Sequence, residues 1–160
     1  MQAEVYWICE IKKGHLGTMP RPRGGDWLED EIRSLNELGV DVVVSLLENH
    51  ETRELDIEQE QACCEAIGIS FLSFPIRDRD VPQSIPETRK LVRAIFDRLG
   101  DGENVVIHCR AGIGRSSVVA ACVMMLSGVV AEETFRQIEN ARGCFVPDTL
   151  EQRDWVTQFR

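Results

Sequence analysis

The sequence contains no apolar stretch that approaches the about 18 residues needed to span a membrane. Its amino-terminal segment, residues 1–10, lacks the basic region of a signal peptide, and the apolar part of that segment is too short for one. The six cysteines form no Cys-x-x-Cys pair and no cluster with histidine, which argues against zinc and against a disulfide framework. We therefore expect a cytoplasmic protein with no metal and no other cofactor.

Basic residues are also scarce, with 18 Lys and Arg against 27 Asp and Glu and a formal net charge of −9. A chain of this charge repels polyanions, so we expect no nucleic acid and no membrane surface among its partners. The hydrophobic content of 43% and the charged content of 28% are typical of a globular domain. A length of 160 residues predicts one domain over residues 1–160, which we expect to be a monomer.

Strand-like and helix-like patterns alternate along the chain. Short β-branched or apolar runs predict strands at residues 5–10, 16–19, 40–47, 69–74 and 105–107. Helical spacing and end signals predict helices at residues 51–67, 116–126, 131–142 and 148–159, another from a capping box at 26–29 to Gly39, and one beginning after Ser84. This order predicts an α/β domain whose mostly parallel sheet of about five strands has helices on both faces. Its site is expected at the carboxyl ends of the strands.

Residues 104–117 are the most informative segment, because they place Cys109 and Arg115 between a β-like run and an apolar helix. Gly112 and Gly114 allow the connecting turn to curl with its backbone N–H groups pointing inward, and the first helical turn adds further donors and the positive end of its dipole. The loop therefore predicts an anion site. Its phosphate-binding residues are expected to be Arg110, Ala111, Gly112, Ile113, Gly114 and Arg115.

Four side chains of this segment have predicted roles. The field that favours a bound anion also favours the thiolate form of Cys109, which makes this residue a candidate nucleophile. Arg115 offers a planar fork of donors that matches two oxygens of a phosphoryl group. The hydroxyl of Ser116 is expected to reach the sulfur and to ease departure of the thiolate, while His108 orients the cysteine backbone or forms a hydrogen bond near it.

The pattern His108-Cys109-x5-Arg115-Ser116 resembles the active-site signature of the cysteine-dependent protein phosphatases, the tyrosine and dual-specificity superfamily. The resemblance extends over nearly the whole chain and is greatest to the small kinase-associated and bacterial dual-specificity types. It implies a single-domain phosphatase fold, phosphorylated proteins as partners and hydrolysis of their phosphate esters through a cysteinyl-phosphate intermediate. With one tyrosine and little room for a pocket-deepening loop, the chain is expected to accept phosphoserine and phosphothreonine besides phosphotyrosine.

A general acid is expected in the loop at residues 74–82, which follows a predicted strand, is bounded by two prolines and contains Asp78 and Asp80. In the Pro-Ile-x-Asp register of the resembling phosphatases Asp78 is the acid, and Asp80 takes this role if the loop is shifted. Arg77 and Arg79 either guide an anionic substrate or are solvated loop charges.

Several interpretations of the sequence remain as alternatives. The resemblance implies that Gln152 positions the hydrolytic water, whereas the local pattern is equally met by a polar residue in the first turn of a capped helix. The segment at residues 17–22 either borders the site or is a rigid surface connection, and Cys63 and Cys64 either trap an oxidised Cys109 or pack in the core. Arg110 keeps a phosphorylated metabolite or lipid as a second substrate class. A non-catalytic phosphoprotein-binding module is the rival function. Such a module usually lacks the catalytic cysteine, arginine or aspartate, whereas this chain has Cys109, Arg115 and Asp78.

Overall fold

Five strands and seven α-helices alternate along residues 3–160, the part of the chain that the computed structural model describes. The strands are β1 (Tyr6–Ile11), β2 (Gly14–Met19), β3 (Val42–Ser45), β4 (Ser70–Ser73) and β5 (Val105–His108). The helices are α1 (Leu28–Glu37), α2 (Asn49–Glu54), α3 (Glu60–Ala66), α4 (Ile85–Gly100), α5 (Arg115–Leu126), α6 (Ala131–Arg142) and α7 (Leu150–Gln158).

The strands form one sheet in the order β1-β2-β5-β3-β4. Only the edge pair β1 and β2 is antiparallel, and the three other neighbouring pairs are parallel. Every residue of β3 and β5 is buried, which explains why these two strands are almost entirely β-branched and apolar. The predicted mostly parallel sheet of about five strands is confirmed.

The two faces of the sheet bury different helices, as the alternation of side chains along a strand requires. Val42, Val44 and Ile107 face a core completed by α4, α5, α6 and α7. Val43 and Val106 face the smaller core beneath α1 and α3. The predicted helices on both faces are therefore confirmed, and the first ten residues of α5 are buried, as its apolar sequence indicated.

The register aligns the carboxyl ends of the four parallel strands. His108 lies beside Met19 of β2 and beside Ser45 of β3, and Ser45 lies beside Ser73 of β4. The segments that follow these strands therefore leave the sheet at the same edge. This arrangement brings together residues that are far apart in sequence.

Two predicted features of the helices are wrong. Residues 51–67 do not form one helix, because Asp56 has a φ of +55° and a left-handed residue cannot continue a right-handed helix. The break separates α2 from α3, and Ile57 within it is buried in the smaller core. The capping box at Asp26 is also absent, since Gly25–Trp27 is a 3₁₀ turn and the N-cap of α1 is Trp27.

Other end signals are confirmed. The Oγ of Ser84 accepts a hydrogen bond of 3.2 Å from the N–H of Glu87 and caps α4. Gly143 ends α6 in the left-handed conformation, at the residue where the sequence predicts the stop. None of the helices in residues 3–160 has the length and apolar character to cross a bilayer.

Phe135 of α6 is fully buried, whereas Phe145, ten residues later, is 90% exposed. We predict that Phe135→Ala lowers the free energy of unfolding by about 3–5 kcal/mol, because the core loses apolar burial and gains a cavity. The control Phe145→Ala is expected to stay within about 0.5 kcal/mol of the parent. Urea denaturation of both variants measures the difference, and equal losses would show that α6 does not seal this core.

Candidate active site

The loop after β5 brings the predicted nucleophile and its neighbour together. Cys109 is 3% exposed and lies at the base of the turn into α5. Its thiol donates to the Oγ of Ser116 at 3.4 Å. The proximity expected of these two residues is therefore present.

Three consecutive carbonyl groups of the loop are turned away from its interior by partners outside it. The N–H of Arg21 donates to the carbonyl of Arg110 at 3.1 Å. The guanidinium of Arg142 donates to the carbonyls of Ala111 and Gly112 at 3.1 and 3.3 Å. Because the C=O and N–H of a trans peptide point in opposite directions, these contacts turn the following N–H groups toward the inside of the loop.

Within residues 3–160, the N–H groups of residues 110–114 donate to no protein acceptor. The N-cap of α5, Gly114, provides no side-chain cap either. The segment that follows Cys109 thus presents a set of unpaired donors and the positive end of a helix dipole. Such an arrangement binds an anion.

Glycine is required at the two loop positions for different physical reasons. Gly112 has a φ of +74°, and a Cβ there would lie 2.6 Å from the carbonyl oxygen of Met19. Gly114 has an ordinary φ of −86°, but a Cβ on it would lie 2.2 Å from the Oδ2 of Asp148. Only the first glycine is needed for the curl, therefore, and the second makes room for the segment before α7.

The segment at residues 17–22 borders the loop, which decides between the two readings left by the sequence. Met19 contacts Gly112, and Arg21 holds the Arg110 carbonyl. Arg142, which sequence reasoning missed, lies with its guanidinium 4.2 Å from the centre of the Tyr6 ring. No local pattern relates Arg142 to a loop 30 residues earlier.

Arg115 is almost completely buried, with 2% of its side chain exposed. Its two terminal nitrogens donate to the two carboxylate oxygens of Glu51 at 2.8 and 2.9 Å, and Nη1 also donates to the carbonyl of Ile76 at 2.9 Å. Nη2 lies 3.1 Å from Oδ1 of Asp78. Glu51, in the first turn of α2, was missed by sequence reasoning, because nothing near it in the sequence relates it to Arg115.

The charges of this buried pair stabilise each other. Burial raises the pKa of Glu51, but hydrogen bonds from Arg115 and from the backbone of Glu48 outweigh burial and leave that pKa below its usual value. Burial lowers the pKa of Arg115, and the Glu51 hydrogen bonds outweigh it, so the guanidinium remains cationic. Arg110 also lies near Glu51, at 3.5 Å, and its other close carboxylate is Glu54 at 3.3 Å.

His108 is buried beneath the loop with acceptors at both ring nitrogens. Nδ1 lies 3.2 Å from the carbonyl of Cys109, and Nε2 lies 2.6 Å from Oε2 of Glu60. Burial lowers the pKa of His108, but the Glu60 carboxylate and the carbonyl outweigh it and raise that pKa. The ring links the Cys109 carbonyl to the buried Glu60, a residue that sequence reasoning missed.

The structure separates the two candidate acids. Asp78 is about half exposed, with 54% of its side chain accessible, and faces Arg115. The Asp80 carboxylate instead accepts from the Val81 N–H at 2.7 Å, within a turn in which the Asp80 N–H donates to the Arg77 carbonyl. Both Arg77 and Arg79 are exposed. The turn therefore directs Asp78, and not Asp80, toward the phosphate loop.

Gln152 is fully buried and its side-chain amide is occupied. It forms a capping box with Thr149 at the start of α7, in which Oε1 accepts from the Thr149 N–H. Its Nε2 donates to the carbonyl of Asp80 at 3.1 Å. The structure thus places Gln152 in the first turn of a capped helix, where it also tethers the acid loop.

Cys63 and Cys64 belong to the opposite core from Cys109. Cys64 is fully buried beneath α1, where burial raises the pKa of its thiol to about 12, and Cys63 packs against the same cluster. Cys109 lies in the larger core on the other face of the sheet. This placement supports the core-packing reading of the pair.

A family model described as a polymorphic toxin system DSP-PTPase phosphatase matches residues 17–129. The chain belongs to this phosphatase family. The matched residues extend from β2 through α5, so they include Cys109, Arg115 and Asp78. Membership confirms the superfamily that the signature suggested.

Individual relatives are consistent with this assignment. Putative tyrosine phosphatase 197R of Invertebrate iridescent virus 6 is 29% identical over 115 residues, which are 69% of this chain and 40% of that protein. Phosphatidylglycerophosphate phosphatase PTPMT2 of Arabidopsis thaliana is 27% identical over 126 residues, 78% of this chain and 50% of that protein. The chain thus spans half or less of the length of these relatives.

Among solved structures, kinase-associated phosphatase with its catalytic cysteine replaced by serine superposes with a TM-score of 0.90. The match covers 100% of this chain and 95% of that one at 19% sequence identity. The single-domain phosphatase fold that the resemblance implied is therefore confirmed.

We predict that Glu51→Gln lowers the free energy of unfolding by about 3 kcal/mol at neutral pH, because it leaves the buried Arg115 charge without its carboxylate. Since the pKa of Glu51 is lowered on folding from 4.5, its contribution is complete above that pH and is lost as the pH falls through the folded value. The control Glu54→Gln changes an exposed carboxylate one turn away. Urea denaturation as a function of pH measures both, and a constant difference between parent and Glu51→Gln down to low pH would contradict the ion pair.

Proposed function

We propose that this domain hydrolyses phosphate monoesters on proteins, both phosphotyrosine and phosphoserine or phosphothreonine, through a cysteinyl-phosphate intermediate. The observation that supports it best is that the N–H groups of residues 110–114, between Cys109 and the buried Arg115, have no acceptor among residues 3–160. Several N–H donors and one guanidinium suit the negative charge and the several oxygens of a phosphoryl group.

In the first step, the Cys109 thiolate attacks the phosphorus atom and the bond to the ester oxygen breaks. The leaving oxygen takes a proton from the Asp78 carboxyl group. Arg115 and the loop N–H groups stabilise the charge that develops on the equatorial oxygens. The products are the free hydroxyl of the substrate and a phosphoryl group on sulfur.

In the second step, a water molecule attacks the phosphoryl group and passes a proton to the Asp78 carboxylate. The S–P bond breaks and inorganic phosphate leaves. The hydroxyl of Ser116, which lies 3.4 Å from the sulfur, donates a hydrogen bond to the departing thiolate. The enzyme returns to its starting protonation state.

The contact between Asp78 and Arg115 suggests how binding prepares the acid. Asp78 lies 3.1 Å from Nη2, the guanidinium nitrogen that also contacts Glu51. A bound phosphoryl group competes with Asp78 for this nitrogen, whereas the buried Glu51 remains in place. Substrate binding therefore releases the Asp78 carboxyl group toward the leaving oxygen.

Two features favour protein substrates over lipids. Arg110, the only additional cation inside the loop, lies within ion-pair distance of Glu51 and Glu54 and is not directed at a second phosphate. Phe145 and Leu150 are highly exposed on either side of Asp148, which lies against the loop at Gly114. They offer an apolar surface to an aromatic ring or a peptide.

A lipid phosphate is the second candidate substrate, because a relative is named as a phosphatidylglycerophosphate phosphatase. Phosphate release from phosphotyrosine and phosphothreonine peptides, compared with dispersed phosphatidylglycerophosphate at equal concentration, separates the two classes. A higher kcat/KM for the lipid would replace the protein assignment.

We predict that Cys109→Ser lowers kcat with p-nitrophenyl phosphate by more than about a thousandfold while vanadate still binds, because serine hardly ionises at neutral pH. The control Cys63→Ser removes a thiol on the other face of the sheet and is expected to retain activity. EDTA is expected to have no effect. Vanadate binding without any turnover by the parent would indicate a phosphoprotein-binding module instead.

For the acid, we predict that Asp78→Asn lowers kcat by about 10²–10⁴-fold, most for phosphoserine, whose leaving group requires a proton. The basic limb of the pH profile is expected to flatten. The matched control Asp80→Asn is expected to cost far less, since the Asp80 carboxylate contacts the Val81 N–H and not the site. Loss of the basic limb in Asp80→Asn alone would assign the role to Asp80.

A further inference from the structure

We propose that the domain has a second binding site, for a single amphipathic anion such as a medium-chain carboxylate. It is a cavity of about 710 Å³ between α4, the end of α5, the start of α6 and the end of α7. Helix α5 has 12 residues, so its two ends lie about 18 Å apart. The cavity and the phosphate loop therefore lie at opposite ends of the same buried helix.

The floor of the cavity is apolar and fixed by the core. It is lined by Val92, Cys122, Met125, Val129 and Phe159. Val92, Cys122 and Phe159 are buried members of the larger core, so their positions are held by packing on all other sides. A cavity of this volume is within the range of about 300–1,000 Å³ that small-molecule sites occupy. An aliphatic chain would fill it favourably.

The rim is positively charged. Arg89, Arg93 and Arg160 line the cavity, and in residues 3–160 none of them forms an ion pair with a side-chain carboxylate. Arg89 donates to the main-chain oxygen of Arg160, and Arg160 donates to the main-chain oxygens of Thr157 and Phe159. Within the described part of the chain, the recorded contact of the Arg93 guanidinium is with the ring of Phe96, 5.9 Å from its centre.

The acidic residue in the lining does not neutralise this rim. Glu132 is the acidic side chain that contributes to the cavity, and its Oε2 is bound to Arg153 at 3.0 Å. Arg89 and Arg93 stand four residues apart on α4, a spacing at which like charges repel each other. Among residues 3–160, Arg93 and Arg160 contact no side-chain carboxylate, whereas Arg89 is held by the Arg160 main-chain oxygen. Their charge complements an anionic head group above an apolar tail.

A single enclosed ligand fits this geometry better than a membrane surface. The apolar groups lie at the base of a concave cavity, whereas a membrane contact requires apolar groups that project outward. Among the apolar lining side chains in residues 3–160, Val130 projects most, at 70% exposure, and Leu126 is 39% exposed. The cavity shares no residue with the phosphate loop, so the proposal is independent of the phosphatase activity.

Calorimetric titration of the whole chain with decanoate, below the concentration at which decanoate forms micelles, tests the site. We expect one equivalent to bind, decanol to bind more weakly, and decyltrimethylammonium not to bind. Saturating vanadate is expected to leave decanoate binding unchanged. Equal binding of the cationic probe, or displacement of decanoate by vanadate, would overturn the proposal.

Charge reversal on α4 locates the site. We expect Arg93→Glu to weaken decanoate binding by about five- to tenfold, because an attraction at the rim becomes a repulsion. The control Lys90→Glu makes the same change on the same helix, at a residue that does not line the cavity. Val130→Glu is a second test at an exposed position and is expected to weaken binding in the same direction. Thermal denaturation monitors the fold of each variant.

Co-sedimentation with phosphatidylglycerol vesicles distinguishes a membrane surface from a dissolved ligand. Vesicle binding without any binding of monomeric decanoate would overturn the proposal in favour of a membrane contact. An equal loss of decanoate affinity in Arg93→Glu and Lys90→Glu would overturn it as well, since the effect would then come from net charge alone.

Discussion

The buried ion pair of Arg115 with Glu51 is the interaction on which the site depends. It joins the first residue of α5 to the first turn of α2, and the same guanidinium contacts the Ile76 carbonyl and the Asp78 carboxylate in the acid loop. Breaking a buried pair leaves an uncompensated charge, so this contact constrains all three segments together. A cation fixed so tightly also cannot move away when phosphate is absent. The site is preorganised for an anion before substrate arrives.

The parallel sheet makes that pair possible. Glu51 follows β3, Asp78 follows β4 and Arg115 follows β5, and the register places the ends of these strands side by side. Glu51 and Asp78 can therefore both contact the Arg115 guanidinium. The antiparallel strand β1 supports the phosphate loop indirectly. The ring of Tyr6, at the start of β1, packs against the guanidinium of Arg142, and this guanidinium donates to two carbonyls of the loop.

The sequence predicted the parts of the site that are local. Cys109, Arg115 and Ser116 lie within one strand-turn-helix unit, and the glycines of that unit are visible in any window that contains it. Glu51, Glu60 and Arg142 could not be predicted, because their partners are 64, 48 and 30 or 31 residues away and nothing in their neighbourhood distinguishes them from surface charges. The prediction of a single helix over residues 51–67 was wrong for a related reason. The burial of Ile57 and the left-handed Asp56 are consequences of tertiary packing, which overrides helical spacing.

The two anion sites proposed at the ends of α5 would bind by different physics. At its amino end the donors would be the main-chain N–H groups of the loop, which suit the several oxygens of a phosphoryl group. At its carboxyl end the cations are flexible arginine side chains above an apolar floor, which select for a hydrophobic tail more than for the shape of the head group. A helix carboxyl terminus disfavours negative charge, so anion binding there has to come from side chains. Of the arginines at this end, Arg89 is held by the Arg160 main-chain oxygen, so Arg93 and Arg160 are the cations that the proposed anion would contact first.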